Sequence, residues 1–281
     1  MIYRRCVPRP PFEILASKTQ ISFEPERIDD FEGKFRFWAA LRPWFQQHGY
    51  YLHLHKNKED GTRKYSYPQT VFMGEDKFPY AHVGVDEPQE DEPSFGDDEP
   101  RDDKPAFTSQ GDASGRIHFA QDSEGRHVAI KLVKGDSDEY RITRFLSERP
   151  SFVPGVVSIL ALLPYDGHWF LVMPRSDALD IREPNMLTNH IHTDHYTVER
   201  SLHRRQLRAA GRLTYCLFDF DLAMMLPAGM PLSAYRLPID ESVPGVPYKP
   251  WGVDEAQLDF DPFAFDVACL GISFCQNFQL L

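Results

Sequence analysis

The chain has 281 residues, of which 42% are hydrophobic and 13% aromatic, enough for a substantial core in one large fold or in one domain plus an extension. A net charge of -11 gives no footing to a nucleic-acid or anionic-membrane role. Met1-Ile2-Tyr3-Arg4-Arg5 is followed by no apolar signal segment, and no run approaches membrane-spanning length, so the sequence predicts an intracellular, cytoplasmic protein with no signal peptide or transmembrane segment.

Residues 1–85 read as an N-terminal extension. Phe31, Phe35, Trp38, Leu41 and Phe45 recur at three- and four-residue spacing behind Asp29 and Asp30, which predicts a capped helix with an aromatic core face. His48-Gly49-Tyr50 ends it, and the alternation of Tyr51-Leu52-His53-Leu54-His55 predicts a strand. Residues 86–105 change character. Ten acids face only Arg101 and Lys104, with prolines between, and a segment of that kind repels itself and buries little, so a disordered linker is expected.

Residues 106–173 are strand-rich. Ser114–Ala120 and His127–Val133 flank the turn sequence Gln121-Asp122-Ser123-Glu124-Gly125. Ser137 or Asp138 is placed to cap a short helix carrying Glu139, Ile142, Phe145 and Leu146, and Val156–Leu163 and His168–Met173 predict two strands around Tyr165-Asp166-Gly167. Residues 174–281 hold an arginine-rich helical stretch from Arg200 to Arg212, read as a solvated face. They also hold the run Tyr215-Cys216-Leu217-Phe218-Asp219-Phe220-Asp221, a pattern that suits a short buried strand delivering Asp219 into a cleft. Cys6, Cys216, Cys269 and Cys275 are scattered, three of them within apolar runs, and read as buried free thiols in a reducing compartment. Lys131 sits on a strand otherwise too apolar to want an ammonium, unless the side chain snorkels at a sheet edge.

Four segments taken in order carry a resemblance. Val128-Ala129-Ile130-Lys131, Asp180-Ile181-Arg182-Glu183-Pro184-Asn185, Asp219-Phe220-Asp221 and Asp266-Val267-Ala268-Cys269-Leu270-Gly271 resemble the strand-three lysine, catalytic loop, metal-binding triplet and helix-F segment of protein kinases. With the His48-Gly49-Tyr50 turn, Pro79-Tyr80-Ala81-His82 and Asn185-Met186-Leu187-Thr188-Asn189-His190, the chain is similar to the divergent protein-kinase-like proteins abundant in mushroom-forming fungi, over roughly Phe31–Asn277.

The resemblance implies an α+β, two-lobed protein-kinase-like fold with an N-terminal extension. Residues 106–173 would be the small lobe and 174–281 a partial large lobe, lacking helices D and E and the later helices. It implies ATP and magnesium as cofactors and a protein as substrate or partner. Lys131, paired with Glu139, would hold the α/β-phosphates, with Gly111 and Gly115 in the loop covering them. Asp219 and Asn185 would bind magnesium and Asp180 would orient the attacking hydroxyl, while backbone groups near Val172 and Met173 would receive the adenine. The sequence departs from the family where Ala178 and Leu179 stand for His and Arg, Arg182 for Lys, and Asp221 for Gly.

Other readings use the same residues. A catalytically inactive pseudokinase or interaction module needs the cleft without turnover, although such a chain has no physical reason to keep Lys131, Asp180, Asn185 and Asp219 together. A small-molecule phosphotransferase of the aminoglycoside-kinase type also uses an Asp-to-Asn loop. His190-Ile191-His192-Thr193-Asp194-His195 matches the zinc-binding pattern of metallo-β-lactamase-type hydrolases, but beyond it only His203 is left to complete a second site.

Overall fold

A computed structural model describes residues 31–57, 64–69, 79–84, 107–108, 115–149, 153–178, 186–188, 190–192, 202–220, 223–242, 250 and 258–278. In chain order the elements are α1 (Phe31–Gln47), β1 (Tyr51–Leu52), β2 (Leu54–Asn57), β3 (Lys64–Tyr67), β4 (His82–Gly84), β5 (Phe107–Thr108), β6 (Ile117–Gln121), β7 (His127–Lys134) and α2 (Asp138–Ser147). They continue with β8 (Ala161–Tyr165), β9 (His168–Pro174), β10 (Asp177–Ala178), β11 (Met186–Thr188), β12 (His190–His192), α3 (Leu202–Ala209), β13 (Tyr215–Leu217), β14 (Leu237–Pro238), β15 (Asp259–Phe260) and α4 (Pro262–Phe278). The protein is α+β, and its centre is a curled antiparallel sheet of five strands in the order β1-β6-β7-β9-β8.

Helix α1 covers one face of that sheet. Phe37, Trp38, Leu41, Trp44 and Phe45 are buried against Leu52, Ala120, Val128, Ile130, Leu132, Phe170 and Val172, the side chains that alternate onto that face. The extension and the strands therefore share one core. The helix ends as its sequence predicts: Gly49 takes φ +82°, and the N–H groups of Gly49 and Tyr50 donate to the carbonyls of Gln46 and Phe45 at 3.0 and 2.9 Å. That is the two-bond left-handed cap in which glycine carries no Cβ penalty. The opposite face of the sheet carries Ala129, Val133, Leu171 and Met173, packed with Val157 and Leu187. Strand β7 is thus buried on both sides, which explains its nearly continuous apolar sequence.

Two expectations shift. The strand predicted over 51–55 breaks at the buried His53, whose N–H still donates to the Phe119 carbonyl at 2.9 Å; beyond it β2 turns away into a separate sheet ordered β2-β3-β5. The strand predicted from Val156 starts only at Ala161. Gly155 and Val157 are drawn instead to Leu217, through Leu217 N–H to the Gly155 carbonyl (2.8 Å) and Val157 N–H to the Leu217 carbonyl (2.9 Å). The β8–β9 turn is as expected. Asp166 and Gly167 have φ 41° and 75°, the paired positive values of a two-residue hairpin turn.

A second antiparallel sheet, ordered β10-β11-β13, follows the first, and β12 pairs in parallel with β4. Arg205 and Arg208 of α3 are exposed while Leu207 is buried, the solvated face predicted for this stretch. Helix α4 begins at Pro262, with the Asp261 carboxylate accepting from the N–H groups of Phe263 and Ala264 at 2.9 and 3.1 Å. Asp261 is therefore the cap, proline occupies the first helical position where its missing N–H costs nothing, and Asp266 lies a turn inside. Among the described cysteines none forms a disulfide; Cys216 and Cys269 are half-buried, but Cys275 is exposed, contrary to the expectation of burial. No helix among the described residues is long and apolar enough to cross a membrane. The linker expected over 86–105 lies outside the described residues.

Candidate functional site

Lys131 sits in the middle of β7, opposite Ile117 on one side and Leu171 on the other, so it is an interior-strand lysine and not a snorkelling edge residue. Its side chain is 5% exposed. After β7 the chain turns back over the sheet through Gly135, where a Cβ would come within 2.7 Å of the Gly167 carbonyl oxygen. Ser137 then starts α2: its hydroxyl accepts from the Tyr140 N–H at 3.2 Å and donates to the Lys134 carbonyl at 2.7 Å. This short return places Glu139 in the first helical turn, and its carboxylate meets the Lys131 ammonium at 2.5 Å. Thr143, fully buried, fastens the same turn by donating to the Glu139 and Tyr140 carbonyls.

Asp219 completes the cluster. It follows β13 by two residues, and its carboxylate also pairs with the Lys131 ammonium. Its φ of 64° puts a non-glycine residue in the left-handed region, at a cost of about 1–2 kcal/mol that surrounding structure must hold. Part of what holds it is the half-buried Phe218, packed with Cys216 against the apolar group that includes Ala129, Leu171 and Met173. Arg116 binds the second oxygen of Glu139 at 3.1 Å, a contact nothing in the sequence pattern singles out. Two cations and two carboxylates therefore balance, and Lys131 and Glu139 are almost fully removed from water. Removing one partner of such a pair costs about 3–5 kcal/mol because the other charge stays buried.

The remaining expected residues fall as follows. Val172 and Met173 lie within the sheet: Val172 pairs with Ile130 and Ala161, its carbonyl accepts from the Leu160 N–H at 2.8 Å, and Met173 stands opposite Ala129. The ladder continues to Arg175, whose N–H donates to the His127 carbonyl, so the chain leaves the sheet two residues later than the sequence suggested. Gly115 has φ +70°, and Gly111 lies outside the described residues. Asp180 and Asn185 also lie outside them, but the strands on either side do not. Ala178 of β10 pairs with Leu187 of β11, and Met186 pairs with Leu217 of β13. The residue that follows segment 179–185, Met186, is thus set on the strand next to the chain that enters Asp219, and the residue that precedes it, Ala178, one strand further out. His190 and His192 stand on β12, in register with His82 and Gly84 of β4; Asp194 and His195 are outside the described residues. Among the described residues no group of three His, Cys, Asp or Glu is arranged to hold a metal ion.

Two further groups are perturbed, His127 at the start of β7 and Cys216 on β13. Burial, and then the Arg175 guanidinium, push the His127 imidazole down to about 3, against a smaller opposing pull from Asp122. Burial pushes the Cys216 thiol up to about 11, which keeps it protonated and chemically quiet. Compared with protein-family models and with curated proteins, the sequence finds no match.

Proposed function

We propose that this chain is a protein-kinase-like phosphotransferase that transfers the γ-phosphoryl group of ATP to a protein hydroxyl. In this reading the curled sheet and α2 form the small lobe of a two-lobed plan, and the β10-β11-β13 sheet with α4 belongs to the large lobe. The observation that carries it is one lysine ammonium shared between Glu139 on the helix after its strand and Asp219 at the end of a second sheet. Phosphoryl transfer needs such a buried, oriented cation facing an acid that can turn to a metal.

Lys131, steadied by Glu139, would bind the α/β-phosphates, and Gly111 and Gly115 would lie on the loop above them. The Asp219 carboxylate, 27% exposed, and the amide of Asn185 supply the hard oxygens that suit magnesium. The need for that ion follows from charge: Lys131, Arg116, Glu139 and Asp219 sum to zero, so they cannot neutralise a polyphosphate themselves. Magnesium, when bound, supplies the missing positive charge on the phosphate oxygens. Asp180 would accept the hydroxyl proton. The adenine edge would be received by backbone groups near Val172 and Met173, where the strand runs out of the sheet after Arg175.

The test is ADP formation from ATP and magnesium with dephosphorylated casein as a generic acceptor. The wild-type chain should release ADP, and Asp180→Asn should lower the rate at least about a hundredfold, the usual worth of a positioned base. A second reading, a nucleotide-binding interaction module, is favoured by the apolar face that α4 leaves in solvent, with Val267 71% and Leu270 54% exposed. Nucleotide binding with no ADP release in wild type would select it.

A further inference from the structure

Glu139 is buried and binds two cations, and only one of them, Lys131, has a place in the phosphate chemistry. The other, Arg116, adjoins Gly115, whose carbonyl accepts a buried hydrogen bond from the Trp38 indole N–H at 2.9 Å, across 77 residues of sequence. Gly115 also lies against the stem of Lys34, whose Cγ would stand 2.8 Å from any added Cβ, so any other residue there would displace the Lys34 side chain of α1. Trp38 is itself fixed by the rings of Phe37, Phe45, His118 and Phe170, with centroids 5.1–6.0 Å away. On its other side Arg116 is held by the Leu132 N–H, which donates to its carbonyl at 2.8 Å. The backbone that carries this guanidinium is thus fastened both to α1 and to β7.

We propose that Arg116 is a positioning residue for the Lys131–Glu139 pair and that α1 is the element that sets it, through Trp38 and Gly115. This rests on the nucleotide reading of Lys131. When phosphates draw the Lys131 ammonium forward, Glu139 loses part of its countercharge while remaining 4% exposed. A carboxylate in that state is costly, and it would pull the lysine back or pull α2 away from the sheet. Arg116 keeps Glu139 compensated from a fixed base, so α2 stays docked while Lys131 is free to engage the ligand. The N-terminal helix then works as a built-in activator of the cleft without touching nucleotide.

The test uses the full chain with Arg116→Gln, Arg116→Lys and Trp38→Phe, the last removing the indole N–H while keeping an aromatic ring. Two quantities are read: amide hydrogen exchange of Arg141–Ser147 in α2 without ligand, and the dissociation constant for ATP with magnesium. Arg116→Gln should speed α2 exchange and weaken ATP binding, each about tenfold, the worth of one charge-assisted hydrogen bond. Arg116→Lys should recover much of both, and Trp38→Phe should move both the same way by a smaller factor. Should Arg116→Gln not fold, Trp38→Phe carries the same test. Unchanged α2 exchange in variants of a chain that does bind ATP overturns the proposal. If the wild-type chain binds no ATP but α2 exchange still rises in Arg116→Gln, the positioning role stands and the phosphotransferase reading falls.

Discussion

A lysine in the centre of a two-sided strand is tolerable only if its ammonium is met, and Glu139 and Asp219 meet it. Lys131→Met should therefore destabilise the protein by about 3 kcal/mol in urea unfolding, the low end for breaking a buried pair because Arg116 stays on Glu139. Adding Glu139→Leu should restore part of the loss, since it removes the buried carboxylate and the charges left behind, Arg116 and Asp219, are 21% and 27% exposed; a single-variant loss below about 1 kcal/mol would mean the ion pair contributes little. His127 gives a second expectation. Its folded pKa of about 3 lies below the unfolded value near 6.5, so between those pH values the unfolded chain binds a proton that the native one does not. Stability attributable to His127 is then complete above about pH 6.5 and is lost as pH falls towards 3, at about 1.4 kcal/mol per pH unit. Unfolding free energies of wild type and His127→Gln measured from pH 7 to 4 should diverge with that slope, and parallel curves would contradict it. Lys131 was visible in the sequence because a charge within an apolar run is conspicuous. Arg116 was not, because a lone arginine after a glycine looks like any surface residue until folding brings α2 beside it.

At the scale of elements, local chemistry was well written in the chain. Helix α1 was legible from its three- and four-residue aromatic spacing, its end from Gly49, the β8–β9 turn from Asp166-Gly167, and α2 from Ser137 and the acids behind it. Ser137→Ala should cost about 1 kcal/mol, because the Tyr140 N–H loses its acceptor; no loss in urea unfolding would mean that solvent replaces the cap without penalty. What local pattern could not supply was partnership between distant strands. The alternation of residues 51–55 runs unbroken through His53, yet β1 joins the central sheet and β2 another, a division set by which edge each half finds. The same holds for Val156–Leu160, where Leu217 competes for the backbone. Helix α4 was legible as a helix, with its cap five residues earlier than the Asp266 motif. Its exposed Val267 and Leu270 predict that Val267→Lys and Leu270→Glu each change stability by less than about 0.5 kcal/mol. A larger loss in denaturant unfolding would show that this face is packed in solution.

At the scale of the whole molecule, one sheet buries α1 on one face and turns Lys131 to the other, and a second sheet returns the chain so that Asp219 reaches the same ammonium. The candidate site is therefore assembled from β7, α2 and the segment after β13, elements separated by up to 88 residues. That convergence is what the nucleotide reading explains, and it is also what a purely structural ion cluster would need to explain otherwise. Thermal unfolding of the full chain with and without ATP and magnesium, in wild type and in Lys131→Met and Asp219→Asn, separates the two most directly. Ligand at a hundred times its dissociation constant should stabilise the wild type by about 2.7 kcal/mol, a midpoint shift of roughly 5 °C for a chain of this size, with the shift requiring magnesium and vanishing in both variants. A folded wild-type chain whose midpoint does not move would contradict a working nucleotide cleft and leave Lys131, Glu139 and Asp219 as a cluster that only holds the fold.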